Sequence, residues 1–381
     1  MDIFAILQWL IDLAVGTVLP FVVVLTVVVF VHEMGHFLVA RWNGVRVEAF
    51  SVGFGKELLG YTDSKGTRWK LAPIPLGGYV RFLGDRNASS QADPEALEAM
   101  SPHEREGAFE DAALWRRALI VVAGPMANFI FAILVYTAIF MVTDDVRIQP
   151  VIGTVAEGSA AEAAGIQPGD HVLAIDGEPI ETFRDMQSVT ILADDTPLTF
   201  RIERYGSEIE IVATPRMTEA TDRFGNSYRR AIVGISPDPN PENLDRVQLG
   251  LIGAFDKALE RTWMIFTGTV NFIKELMLGK QDARDLRGPI GIAEITGQVA
   301  TLGMLDLVFL VGFLSISIGM MNLLPVPMLD GGHLAFYAVE AVRGRAMSAK
   351  NQERAYKVGL TFVLLLMIFV TTNDIIRPYL S

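Results

Sequence analysis

Val27-Val28-Val29-Phe30-Val31-His32-Glu33-Met34-Gly35-His36 is the stretch that decides the reading of this chain. It closes an apolar run, Leu13 to Val31, that holds no charged residue, and the helical pattern continues to Ala40. About 20 apolar residues carry a helix across a bilayer, so the run predicts a membrane span. Three ionisable side chains then fall within five residues, and such groups are costly at a membrane-embedded helix end. On a helix, positions i and i+4 share one face, about 6 Å apart along the axis. Imidazoles at 32 and 36 can therefore grip one zinc ion, with Glu33 between them as base for a nearby water. The bland alternative is two histidines snorkelling at a helix end.

Outward from this stretch, three further runs predict spans: Ala118 to Val142, Leu307 to Leu329, and the shorter Val358 to Asn373. Thr262 to Ile273 is too short to cross and reads as a helix on the membrane surface or packed on the bundle. Half of the 381 residues are hydrophobic, concentrated in these runs, as in a polytopic membrane protein. The net charge of -12 and the lack of a basic stripe argue against nucleic acid. With no cysteine, disulfides, thiolate metal sites and a cysteine nucleophile are excluded. The first run lacks the basic flank and small-residue cleavage site of a signal peptide, so it is expected to be retained.

Lys and Arg gather on the cytoplasmic side of membrane proteins. None precedes Arg41, eleven lie from Arg41 to Arg117, five lie from Arg343 to Lys357, and only Arg377 follows the last span. This pattern places both termini outside, and segments 41–117 and 331–357 inside. The long 143–306 segment is then outside, with little topological weight in its own charges.

Residues 44–83 read as strands, with turns at Gly53-Phe54-Gly55 and Pro75-Leu76-Gly77-Gly78-Tyr79. Residues 84–111 are acidic and rich in Ala, Ser and Pro, as in a flexible loop. Residues 150–216 read as a small β-rich domain. A glycine turn at 165–170 leads into a strand from His171 to Ile175, Phe183 to Leu192 suits a helix, and Leu198 to Glu203 pairs with Glu208 to Ala213 as a hairpin. Residues 217–250 are polar and Pro-rich and too short for a second such domain.

A catalytic zinc takes three protein ligands and leaves a position open. Asp330, in Leu329-Asp330-Gly331-Gly332-His333, ends the third predicted span on the side where His32 and His36 lie. His333 competes for the role, and a turn aspartate before Gly-Gly is the alternative for Asp330. Asn322 is polar within an apolar run, and Pro325 and Pro327 would break the helix and free backbone groups there. That suits a site holding an unwound peptide; an Asn bonded between helices is the alternative. Asn128, after Gly124-Pro125, reads as structural.

Taken in order, HEMGH (32–36), SVGFGKEL (51–58), PLGGYVRF (75–82), AGPMANF (123–129), GIQPGD (165–170), RGPIGIA (287–293) and NLLPVPMLDGGHL (322–334) run over most of the chain. In this set and order the chain resembles the bacterial site-2 proteases of the RseP type, regulators of sigma E. The resemblance implies an α-helical polytopic membrane protein with four transmembrane helices, an inserted periplasmic α+β PDZ-like domain and a membrane-associated β-loop. The expected layout is a first transmembrane helix in 1–42, a β region and acidic loop in 43–116, and a second transmembrane helix in 117–143. The PDZ-like domain follows in 148–216, then a linker with amphipathic helices in 217–302. A third transmembrane helix in 303–330, a cytoplasmic loop in 331–355 and a fourth transmembrane helix in 356–376 complete it.

The same resemblance implies zinc held by His32, His36 and Asp330, with Glu33 as catalytic base. It implies substrate contact by Asn322, Pro325 and Pro327, and by Gly77, Gly78 and Tyr79 of a β-loop that pairs with the unwound substrate strand. Implied substrates are single-span membrane proteins such as anti-sigma factors after a first cut, and remnant signal peptides, cleaved within the lipid of the inner membrane. The best-known relatives carry two tandem PDZ domains and this chain has room for one, so a two-domain size filter does not transfer. Three rivals make distinct demands. A PDZ scaffold needs no metal, a membrane di-iron oxygenase needs many more histidines than five, and a zinc transporter needs ligands spread along a path.

Overall fold

The computed structural model describes residues 4, 8, 12–85, 94–193, 195–221 and 227–377. The chain divides into two compact units, one formed by Met1–Ile139 with Gly253–Ser381, the other by Phe140–Ile252.

In the first unit, a π-helical turn at Ala14–Val18 leads into α1, Leu19–Trp42, with Pro20 at the junction, where its missing N–H interrupts the helical ladder. One stripe of α1 is buried: Val24, Val28, His32, Gly35, His36 and Ala40. The face bearing Val23, Val27 and Phe30 is exposed, as lipid contact requires. The histidines thus lie on the side of the helix that packs inward.

Four strands follow: β1, Val47–Phe54; β2, Leu59–Thr62; β3, Arg68–Leu71; and β4, Ile74–Phe82. Their order is β2-β3-β1-β4, with β1 parallel to β3 and antiparallel to β4. Phe37 and Ala40 of α1 share a core with Phe50, Val80 and Phe82, which fixes the sheet to the helix. Of the acidic stretch expected to be a flexible loop, 86–93 fall outside the described residues. The rest is partly ordered by packing: α2 spans Pro94–Ala99, and Leu97 and Phe109 are buried. Helix α3, Leu114–Val142, buries Ile120, Gly124, Asn128, Ala132 and Tyr136, a four-residue repeat along one face.

The second unit is α+β. Its elements begin with β5, Asp145–Ile148; β6, Ile152–Val155; α4, Ala160–Ala164; β7, His171–Ile175; β8, Glu178–Pro179; and α5, Phe183–Leu192. They continue with β9, Leu198–Arg204; β10, Ser207–Ala213; β11, Arg216–Thr221; β12, Ser227–Ile232; β13, Ile235–Pro237; and β14, Leu244–Val247. The main sheet runs β10-β9-β7-β8, and β13 and β14 return to pair with β6 and β5. The polar 217–250 stretch, which shows no strand pattern in sequence, therefore contributes four strands to this unit. Buried Asp170 of the glycine turn accepts two hydrogen bonds from Arg204, at 2.7 Å each. A buried carboxylate needs such a partner.

Returning to the first unit, α6 covers Leu251–Met277, α7 Pro289–Leu302, α8 Met304–Asn322, α9 Asp330–Arg343 and α10 Ala349–Ile376. Buried Asp374 of α10 accepts from the amides of Gly288 and Gly291, capping α7 from another helix. The helix break expected at Pro325 and Pro327 is present and begins slightly earlier: α8 stops at Asn322, because the prolines cannot donate to the ladder and disfavour helix in the residues before them. The expected third span, 303–330, is corrected at its end. Asp330 accordingly starts α9 instead of ending α8, and much of the expected 331–355 loop is helix. Among the described residues, four helices are long and apolar enough to cross a membrane: Ala14–Trp42, Leu114–Val142, Met304–Asn322 and Lys350–Ile376.

Candidate metal centre

Two helices deliver the three ligands. α1 presents His32 and His36 one turn apart, their Nε2 atoms 3.3 Å from each other. The first turn of α9 brings the Asp330 carboxylate to 3.2 Å from His32 Nε2 and 3.5 Å from His36 Nε2. One ligand atom from each of the three lies within 4.8 Å of the others, and both histidines are buried. Among the described residues, this is the group of three with metal-binding spacing.

Asp330 reaches this place because Gly331 and Gly332 follow it. A methyl on Gly331 would overlap the carbonyls of Leu323 and Leu324, and one on Gly332 would overlap that of Val326. The glycines let the broken segment after α8 fold back over the start of α9. Within that segment Met328 adopts φ +90°, a left-handed conformation that a side chain disfavours. On the far side, Arg117 of α3 donates to Glu340 of α9 at 2.7 Å and stacks over Tyr337, holding α9 against α3.

α3 backs the histidines. His36 Nδ1 lies 2.9 Å from the Ile120 carbonyl. A carbonyl only accepts, so Nδ1 carries the proton and Nε2 offers its lone pair to the centre. Gly124 leaves room for that ring, since a methyl there would overlap His36 Nε2. Gly35 lets α1 approach the α3 backbone at Ala123 just as closely. Asn128 places its amide 3.4 Å from His32 Nδ1.

The three residues suit zinc on the chemistry of the donor set: two neutral imidazole nitrogens and one carboxylate oxygen, with a side left open. The Asp330 Oδ2 atom is buried with no hydrogen-bond donor, which an unpaired acceptor tolerates poorly and a cation would satisfy. The open side is a cavity of about 240 Å³, whose walls include Glu33, Tyr79, Asn322 and His333.

The structure places the other sequence-derived candidates unevenly. Gly78, Tyr79 and Asn322 line the cavity; Gly77, Pro325 and Pro327 do not. Gly78 sits where β4 crosses α1, and a methyl on it would come 3.2 Å from Glu33 Cγ and 2.7 Å from the Ser51 carbonyl. Pro325 is exposed, and Pro327 packs its backbone against Gly359 of α10. His333 stands in the cavity wall with Nδ1 3.3 Å from the Tyr356 hydroxyl, outside the ligand cluster. Ile120, Gly124 and Asn128 carry no motif for zinc on their own; their four-residue spacing, in register with that of the histidines, was the signal available.

The profile of peptidase family M50 matches residues 20–366. Two proteins whose names place them provisionally among the zinc metalloproteases are similar over nearly the whole length. One, from Agrobacterium fabrum, is 47% identical, covering 94% of this chain and 96% of its own. The other, from Rhizobium meliloti, is 45% identical with the same coverage. Metalloprotease MmpA of Caulobacter vibrioides is 38% identical, over 93% of this chain and 94% of its own.

Proposed function

This chain belongs to peptidase family M50, and on that premise we propose how its residues divide the work of an intramembrane zinc metalloprotease. The observation that carries the reading is the meeting of His32 and His36 with Asp330, some 300 positions later, on one buried spot beside Glu33. His32 and His36 hold the ion through Nε2, and Asp330 holds it through its carboxylate. When bound, zinc supplies Lewis acidity toward a peptide carbonyl and makes water a better nucleophile at neutral pH.

Glu33 is the general base and acid. Its carboxylate takes a proton as the water oxygen bonds to the peptide carbon, then gives it to the nitrogen as the C–N bond breaks. The substrate is a transmembrane segment that has locally lost its helix, because a helical backbone is closed by its own hydrogen bonds. β4 supports this reading: it is an edge strand of its sheet, and its Gly78 and Tyr79 face the cavity. An edge strand can take over the hydrogen bonds of an unwound peptide by β-augmentation. Asn322 is placed to contact the same backbone, while Pro325 and Pro327 shape the segment that ends α8.

Anti-sigma factors after a first cut, and remnant signal peptides, are the substrates we infer from the motif set. Residues 148–216 of the second unit are proposed as the single PDZ-like domain, completed by strands β12 and β13 from the stretch expected to be linker. In support, the unit has a groove of about 300 Å³ between α5 and the β12–β13 segment, lined by Phe183, Met186, Thr190 and Val233. The Lys and Arg distribution supports both termini in the periplasm and the metal centre near the cytoplasmic face of the inner membrane.

The deciding experiment is Glu33→Gln in the full-length chain, with a membrane-spanning reporter as substrate. Zinc content and thermal unfolding should match the wild type while cleavage falls to background. Wild-type turnover in that variant removes Glu33 from the mechanism.

A further inference from the structure

His36 and His32 are oriented by unlike partners. His36 is fixed by a backbone carbonyl, Ile120 on α3, which no substitution deletes. His32 Nδ1 faces a side chain two turns further along the same helix, that of Asn128. Asn128 is fully buried, and its Oδ1 atom has no hydrogen-bond partner while its Nδ2 faces the imidazole. His32 directs Nε2 at Asp330 and at His36 Nε2, so the Nε2 lone pair belongs to the metal side and Nδ1 carries the proton. Two N–H groups cannot bond to each other. Turning the amide by 180°, a change that leaves its shape the same, puts Oδ1 against Nδ1–H and gives the orphaned oxygen its donor.

From this we propose that Asn128 is a positioning residue: its side-chain carbonyl accepts the Nδ1–H of His32 and holds Nε2 on the metal. One helix then orients both imidazoles, through Ile120 for His36 and Asn128 for His32. The proposal rests on the zinc reading of the three-ligand cluster. A hydrogen bond to α8 does not account for the side-chain amide, because the bond of Asn128 to that helix is made by its backbone carbonyl, which accepts from the Ser315 hydroxyl at 3.0 Å, while only its Cβ packs near Gly319. That bond survives any substitution at 128.

The test is zinc affinity of the purified full-length chain, by competition with a chromophoric chelator, with thermal unfolding of the zinc-free form as the fold control. Asn128→Ala should bind zinc about 10–100-fold more weakly, the usual cost of losing a ligand's orienting partner, with unfolding unchanged. Asn128→Asp keeps an acceptor but no donor, and should stay within about threefold of the wild type. Wild-type affinity in Asn128→Ala, or a loss in Asn128→Asp as large as in Asn128→Ala, overturns the proposal. If the alanine variant does not fold, Asn128→Asp decides alone: retained affinity supports it and a loss of about tenfold or more overturns it. His36→Ala separates the two readings. If it too keeps wild-type affinity, the zinc centre itself is wrong and the proposal goes with it; if it loses zinc while Asn128→Ala does not, only Asn128 has failed.

Discussion

Gly124 is a residue where intrinsic preference and the site pull in opposite directions. In a helix interior alanine is favoured over glycine by about 1 kcal/mol, yet a methyl at 124 would overlap His36 Nε2. Gly124→Ala should therefore push the imidazole ring off the centre, the overpacking of about 1–3 kcal/mol offsetting the helix preference and leaving the fold intact. A ring displaced by about 1 Å costs on the order of 100-fold in turnover, to be read as kcat on a membrane-spanning reporter beside an unfolding curve; unchanged kcat would mean the ring tolerates the methyl. Asp330→Asn should lower zinc content and activity together, since a neutral amide is a poor ligand; full stoichiometry would shift attention to His333. The two histidines and Glu33 were legible in sequence because their geometry is local, one helical turn. Asp330 was legible only through topology. Asn128 was not, because its partner lies 96 positions away and only packing of α1 on α3 brings them together.

Elements position these residues, and the break between α8 and α9 matters most. Pro325 and Pro327 announce it in the sequence, but an apolar pattern runs straight through to Leu329, so hydropathy alone overextends the helix past Asn322. What hydropathy cannot register is that Gly331 and Gly332 allow the segment to lie against the start of α9. Gly331→Ala should displace that segment and move Asp330, lowering zinc affinity about 10-fold or more; measured affinity equal to wild type would show that the close approach is dispensable. The end of α1 has its own device. Asp63, at the β2–β3 turn, accepts from Arg41, the Trp69 ring and the amides of Lys65 and Thr67. Burial works to raise its carboxyl, but those hydrogen bonds prevail and hold it down at about 2. A free aspartate titrates near ~3.9, so this stabilisation is complete above that value and fades as pH falls from ~4 toward 2. Hydrogen exchange of the turn should be flat from neutral pH to about 5 once corrected for intrinsic rates, then accelerate, with Asp63→Asn showing the fast rate throughout. A turn that stays protected at pH 2 would deny Asp63 this role.

On the scale of the whole molecule, β7, β9 and β10 were readable from alternation and glycine turns, whereas β11 to β14 were not. They are short, polar strands that pair with each other or with β5 and β6, far earlier in the chain, and no local periodicity encodes such partners. Orientation is a different matter: it follows from charge counts and not from packing. It has a direct test, because the chain contains no cysteine and each introduced thiol is therefore unique. Tyr205 in the second unit is almost wholly exposed, and Lys65 and Arg345, near the two ends that carry the ligands, are exposed as well. If basic residues set the topology, a membrane-impermeant thiol reagent applied to spheroplasts should label Tyr205→Cys at once. Lys65→Cys and Arg345→Cys should react only after the membrane is opened. The reverse pattern would turn the protein over and move the metal centre to the other face. Labelling of Lys65→Cys and Arg345→Cys from opposite sides would be more damaging, because His32 and Asp330 can share one ion only if the segments beyond α1 and α9 leave the bilayer on the same side.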